Sequence, residues 1–349
     1  MSTLSREPVI LAMANGLRLT GPDPVTSIIE FCRNRVAKCL QEYGPALNIW
    51  DVERIVCERL NLEICEIWND DELDQLIDRF VTDGDVVFAH LKPDLDEKTF
   101  ATLIRRKTKH RGNDCYVAVI DCRGQKGSRK FFSRWHEIAH LLTLYRQMEF
   151  PFHRSRIEKD PIEQMMDIIA GEIGFYEPMF VPILDATIRD LDAQRLTFGV
   201  VESVQTRFCP DASFQATLNA CAARCSSPVI LLEVGMGYKK TELRQLNSPQ
   251  MNLIPSPPPR QQLRVLNAIP NNAARKLSIQ IPRFMRVPSI SVLRRTFDAE
   301  NDSTAAQVAE ATENLQSWVS SNGSRLVNQR VIIEARKIHD RVFGIVTPI

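Results

Sequence analysis

Apolar residues first recur at helical spacing after Asp23-Pro24, where Ile28, Ile29, Cys32, Val36, Cys39 and Leu40 share one side. Asp23 is the expected cap, Pro24 suits the first helical position, and Gly44-Pro45 ends the helix. A shorter helix follows, capped by Asp51, with Ile55, Val56 and Leu60 facing inward. Leu62–Trp68 and Val86–Leu91 read as strands, and Lys92–Asp114 as a charged segment holding Arg105, Arg106, Lys107, Lys109 and Arg111. Cys115–Cys122 is an apolar run rich in β-branched residues, a buried strand that turns at Gly124 and Gly127. Arg129–Arg146 is the strongest helix, packing Phe132, Trp135, Ile138, Ala139, Leu142 and Tyr145 inward. Asp160-Pro161 starts another helix, which runs to about Gly174.

Beyond it the pattern predicts helices over Phe198–Arg207 and Ser213–Cys225, then a strand at Val229–Val234. Asn247–Arg260 carries five prolines, a loop composition. Strands are expected at Leu277–Ile281 and Ser289–Leu293 and a helix at Ala305–Val319. Arg330–Ile338 and Arg341–Val346 read as a hairpin turning at His339-Asp340. The class is therefore α+β. A length of 349 residues predicts an arm over 1–23, a domain over 24–195, a helical connecting unit over 196–225, and a C-terminal α+β domain over 226–349 whose proline-rich loop is 247–260.

Composition narrows the partners. With 44 basic and 43 acidic residues the net charge is +1, which excludes a uniformly basic nucleic-acid coat but not a local patch. No apolar run approaches the roughly 18–20 residues of a membrane helix. Met1–Leu19 lacks the pattern of a secretory signal, and nine scattered cysteines suit a reducing compartment. The expectation is a cytoplasmic protein with mostly reduced thiols.

The chemistry concentrates at His136-Glu137-Ile138-Ala139-His140, an HExxH pattern inside the strongest helix. Residues four apart share a helix face, so both imidazoles aim at one point, as a Zn²⁺ site requires. Chance occurrence of the pattern is about 0.01 in a chain of this length. A catalytic zinc keeps three protein ligands and one open position. Glu163, in Glu163-Gln164-Met165-Met166-Asp167, is the candidate third ligand, with Glu158, Asp160 and Glu172 as competitors. Asp167 is placed to hydrogen-bond a ligand histidine and fix its tautomer. Glu137 is the candidate general base, and His153 and Tyr176 are candidates for stabilising an oxyanion. Cys115 and Cys122 flank the preceding strand; a thiolate can cover a zinc, and Cys115 is the better candidate for such an inhibitory ligand. Cys221 and Cys225 read as core.

These motifs resemble the ImmA/IrrE metallopeptidases, in which a helix bearing HELGH is followed by a helix opening E-x-x-A-N/D and then a proline. The counterparts are His136–His140, Glu163–Ile173 and Pro178, and the likeness covers about Pro24–Leu184. Ala139 stands where glycine is usual, and Phe175-Tyr176-Glu177 lengthens the run before the proline. The resemblance implies a mainly helical, zincin-like peptidase domain with a small sheet, one zinc per chain, and cytoplasmic endopeptidase activity. The usual substrate there is a helix-turn-helix repressor, whose cleavage switches on a stress, phage or antiviral programme. Some relatives in antiphage operons carry a C-terminal sensor domain that responds to DNA damage, so a GAF-like regulatory domain is expected. From Leu243 to Phe297 there is no acidic residue and nine basic ones, a candidate single-stranded DNA surface at Arg283, Arg286, Arg294 and Arg295, with Phe284 and Phe297 for stacking. The competing readings are a non-catalytic nucleic-acid or signal sensor on a peptidase scaffold, and a broad zinc protease.

Overall fold

The computed structural model describes residues 4–44, 46–107, 114–144, 152–155, 160–246, 259–299, 308–320 and 323–349. Its class is α+β, as expected. Contacts divide the chain into two compact units, one of Met1–Pro182 with Gln205–Ala216, the other of Ile183–Val204 with Thr217–Ile349. The expected connecting segment 196–225 is thus shared between the two. No helix among the described residues is long and apolar enough to cross a membrane.

The first unit begins earlier than the sequence pattern suggests. A 3₁₀ turn at Leu4–Arg6 leads into α1 (Pro8–Gly16), which buries Ile10, Met13 and Ala14 where an arm was expected. Its nine residues, apolar on most sides, carry no clear stripe. In α2 (Pro24–Tyr43) Asp23 accepts from the Thr26 amide at 3.1 Å, and Gly44 ends the helix at φ 99°. The next helix, α3 (Ile49–Leu60), is capped by Asn48 rather than Asp51: the Asn48 side chain accepts from the Asp51 amide at 3.0 Å. After β1 (Leu62–Ile67) comes α4 (Asp70–Thr82), absent from the sequence reading. Asn69 and Glu72 cap its start reciprocally, and three acidic residues sit in its first turn.

Val86–Leu91, expected as a strand, is a 3₁₀ turn at Val86–His90 entering α5 (Leu91–Asp94). Phe88 stacks on Phe80 of α4 at 4.1 Å, and that contact holds the run against a helix instead of a sheet. The segment expected to be polar contains β2 (Thr99–Arg105), buried along six of its seven residues. Charged flanks and two threonines mask it in the sequence. Then follow β3 (Tyr116–Asp121), a 3₁₀ turn at Gly124–Arg129, α6 (Lys130–Leu142), β4 (Phe152–Ser155), α7 (Pro161–Gly174) and α8 (Glu177–Asp190). The helix expected to reach Arg146 stops at Leu142; Tyr145, Lys109 and Arg111 lie outside the described residues. The sheet order is β1–β3–β2–β4, with β1 parallel to β3 and the other pairs antiparallel. Two helices, α9 (Phe198–Phe208) and α10 (Phe214–Arg224), fall close to the expected ranges.

In the second unit β5 (Ile230–Gly237), α11 (Lys240–Leu246), β6 (Gln262–Pro270), α12 (Asn272–Lys276), α13 (Val292–Asp298), β7 (Val308–Asn314), β8 (Arg330–Ile338) and β9 (Arg341–Pro348) follow in order. All five strands pair antiparallel in the order β6–β5–β9–β8–β7. Alternate residues Ile230, Leu232 and Val234 meet Val292, Leu293, Trp318, Val331, Ile333, Val342 and Val346 in one core. The expected hairpin at the chain end is present as β8 and β9, with His339 at φ 56° in the turn. Three expectations are corrected. Leu277–Ile281 is irregular, broken by Ser278 at φ 57°. Ser289–Leu293 is a turn in which Ser291 caps α13, its side chain accepting from the Leu293 amide at 3.3 Å. Where a helix was expected over Ala305–Val319, the described residues, from Val308 onward, form the edge strand β7 and a 3₁₀ turn, and the period-2 burial of β7 shows what the helical reading missed. The loop 247–258 lies outside the described residues.

One buried carboxylate holds the passage from sheet to α6. Asp121, at the end of β3, has a fully buried side chain that accepts from Arg123 Nε and Nη2, both at 2.9 Å, and from Lys126 Nζ at 2.6 Å. Burial opposes its charge, but these cations outweigh burial and keep the carboxyl below its usual range. A depressed carboxyl stabilises the fold above its unfolded value of about 3.9 and ceases to as pH falls through its folded value. Asp121→Asn should therefore lower stability at pH 7 by about 3–5 kcal/mol in urea unfolding. The gap to wild type should narrow as pH falls below about 4; a pH-independent gap would contradict this account.

Candidate metal centre

The site is built on two helices. In α6 residues 131 and 133, then 135–142, are buried, so the metal-type side chains sit on a helix enclosed on most sides. His136, Glu137 and His140 are each no more than 1% exposed. The back of α6 is pinned by Arg134, which donates to Glu53 of α3 at 2.8 and 3.0 Å and to Glu66 of β1 at 2.7 Å. The second helix, α7, starts where Asp160 accepts from the Ile162 amide at 2.7 Å, with Pro161 in the first turn. That start puts Glu163 in the first turn and Asp167 one turn further along the same face. The helices approach closely at Gly174, where a Cβ would stand 2.9 Å from Cγ and Cδ1 of the fully buried Trp135.

Three donor atoms converge. Nε2 of His140 lies 3.2 Å from Nε2 of His136. The Glu163 carboxylate brings Oε2 to 3.0 Å from Nε2 of His136 and Oε1 to 3.3 Å from Nε2 of His140. These side chains could hold a metal ion. Donors about 2.0–2.1 Å from a tetrahedral zinc stand about 3.3 Å from each other, so the observed spacings already fit. The hydrogen-bond inventory agrees. Nδ1 of His136 lies 2.9 Å from Oδ1 of Asp167, which assigns the ring proton to Nδ1 and leaves Nε2 an acceptor. That acceptor faces a second Nε2 and a carboxylate, an accumulation of lone pairs that a cation relieves. The Glu163 side chain keeps 21% exposure, so the donors are not sealed from solvent.

Among the expected site residues, His136, His140, Glu163 and Asp167 come together, with Glu137 buried on the same helix. The competing ligands are engaged elsewhere: Asp160 caps α7, and Glu172 pairs with Arg33 of α2. Glu158 lies outside the described residues, and so does the side chain of His153 in β4. Tyr176 follows α7, its hydroxyl pKa raised by burial.

Cys115 does not join the donor group; it lines a surface hollow of about 520 Å³ with Cys57, Asn61, Glu63 and Arg106. The physical reason is direction: Cys115 precedes β3, whereas the turn into α6 leaves from the other end of that strand. Cys122 is buried, which pushes its thiol up to about 12.

Two of the four candidate nucleic-acid arginines lie on the segment that returns along β6, and two on α13. Arg286 bridges to Arg264 of β6, and Arg283 Nε donates to Leu266 O in the same strand at 2.8 Å. Arg294 and Arg295 ride on α13, which packs against β7, β8 and β9, and Arg294 pairs with Asp298 at 2.5 Å. The turn at 289–290 takes the chain from the edge of the sheet onto its face. Phe297 packs on the core. The pinning of Arg134 by Glu53 and Glu66 and the burial of Arg264 had no signal in local sequence, because each depends on residues far along the chain.

No protein-family model and no curated protein matches the chain. For the donor set the expected outcomes are specific. Glu163→Ala should abolish stoichiometric zinc in metal analysis. Asp167→Ala should retain zinc but bind it about 10–100-fold more weakly in chelator competition. Full retention by Glu163→Ala would place the third ligand elsewhere.

Proposed function

We propose that the chain is a zinc-dependent endopeptidase, with His136, His140 and Glu163 as ligands and Glu137 as general base. The observation that carries the reading is the convergence of both imidazole Nε2 atoms and one carboxylate at zinc spacing, with a carboxylate next in sequence to the first histidine. When bound, the metal polarises the scissile carbonyl and lowers the pKa of the attacking water to about 7.

Glu137 takes the proton from that water at a carboxylate oxygen as the water oxygen attacks the carbonyl carbon. It then delivers the proton to the amide nitrogen as the C–N bond breaks. Asp167 holds the Nδ1 proton of His136, keeping Nε2 available throughout. Arg134 and the Trp135–Gly174 contact keep the two helices from shifting while the proton moves.

The substrate we propose is a helix-turn-helix repressor in the cytoplasm, its cleavage releasing a stress or antiphage programme; the likeness to ImmA/IrrE metallopeptidases at His136–His140 and Glu163–Asp167 supports this. A buried base retained beside the donors favours catalysis over a scaffold role.

The test is Glu137→Gln in the full chain, incubated with a candidate repressor and with casein. Cleavage should fall by about 10²–10⁴ while zinc content and circular dichroism stay at wild-type values. Activity within a few-fold of wild type would reject the mechanism, and cutting of casein at many bonds would favour a broad protease.

A further inference from the structure

The sheet of the C-terminal unit buries a guanidinium that Glu242 compensates only in part. Arg264 of β6 is 2% exposed. One terminal nitrogen donates to Phe284 O at 2.9 Å and the other to Gln262 Oε1 at 3.1 Å, while Nε has no acceptor. No carboxylate pairs with it among the described residues. Strand alternation explains where it points. Leu263 and Val265 face the core, so Arg264 faces the opposite side of the sheet, in line with Gln262 and Leu266. Its register partner on β5 is Gly235, which offers no side chain.

On the other edge the chain returns along β6, with the Val265 amide donating to Met285 O at 2.9 Å and the Val287 amide to Leu263 O at 3.0 Å. That return sets the exposed Arg286 opposite Arg264. The four neighbours of Arg264 on this face are thus a glycine, a glutamine, a leucine and a second arginine. Burial and the charge of Arg286 both disfavour its protonated form, and Glu242, whose side chain accepts from the Lys239 amide, offsets them only in part. Arg283, whose guanidinium lies over the Phe284 ring at 5.3 Å, donates to Leu266 O of β6.

We propose that Arg264 and Arg286 form a binding site for one small oxyanion, inorganic phosphate or the phosphate of a phosphomonoester. The planar fork of a guanidinium matches phosphate oxygens, and an anion placed between two arginines supplies the charge that the fold leaves out. The burial of Arg264 selects a single group over a polymer. A nucleic-acid backbone follows a track of exposed cations, whereas Arg264 is enclosed and Arg294 is occupied by Asp298. The site lies in a different unit from the zinc ligands and does not rest on the peptidase reading.

The full-length protein, wild type and variants, would be titrated with inorganic phosphate, adenosine monophosphate and oligothymidylate by calorimetry, at ionic strength held constant with chloride. Wild type should give saturable binding of phosphate or the monophosphate. Arg286→Ala, an exposed position, should weaken it at least about tenfold while leaving zinc content and melting temperature in chloride unchanged. Arg264→Lys, which keeps the charge but not the fork, should weaken it as well. The proposal is overturned if wild type binds neither small anion, if Arg286→Ala binds as wild type does, or if only oligothymidylate binds. It is also overturned if phosphate raises the melting temperature of wild type and Arg286→Ala equally, since that would be general salt stabilisation.

Discussion

The packing of α6 against α7 is the constraint on which the candidate centre depends. Two histidines four residues apart fix only a direction; a third donor must be brought to within about 3.3 Å of both by a separate piece of chain. Gly174 permits the approach, because any side chain there would meet Trp135. The cap at Asp160 then decides which residues of α7 face α6, and Glu163 and Asp167 are the acidic ones. With the helix separation and the helix start both fixed, neither carboxylate has freedom to miss its histidine.

Buried charges hold the scaffold around that contact. Arg134 binds two carboxylates from different elements, Glu53 and Glu66, and so ties α6 to α3 and to β1. Burial works to raise the pKa of Glu53, and the arginine opposes it. Removing one member of such a group leaves an uncompensated charge in a poorly solvated place, which is costlier than the pair is favourable. Asp121 with Arg123 and Lys126 does the same at the turn between β3 and α6. The histidines are therefore presented by a helix fixed at its back and at its entry, as a preorganised site needs.

In the C-terminal unit the same arithmetic of buried charge is left open. The region from Leu243 to Phe297 has no acidic residue, and the fold turns one of its arginines inward instead of presenting all of them to solvent. A basic stretch read linearly as a surface is thus divided by topology into an enclosed guanidinium at β6, exposed arginines along the returning edge, and a helix whose Arg294 is ion-paired.

The α+β class, the helices that begin at Asp23-Pro24 and Asp160-Pro161, the buried strand before α6, the closing hairpin and the residues of the donor group were all legible in the sequence. Each rests on local rules: capping chemistry, hydrophobic period, and the i, i+4 geometry that aims His136 and His140 together. The elements that escaped are those whose local signal is weak or ambiguous. α1 is apolar on most sides, β2 carries two threonines and is flanked by charge, the run at 86–91 is claimed by Phe80, and β7 is an edge strand with half-buried alternation. Tertiary structure alone decided that Glu163 reaches both histidines, that Cys115 stands apart from them, that Arg134 is pinned from two sides, and that Arg264 is enclosed. All four are facts about residues distant in sequence, and a linear pattern specifies which way a side chain faces but not what another part of the chain places in front of it.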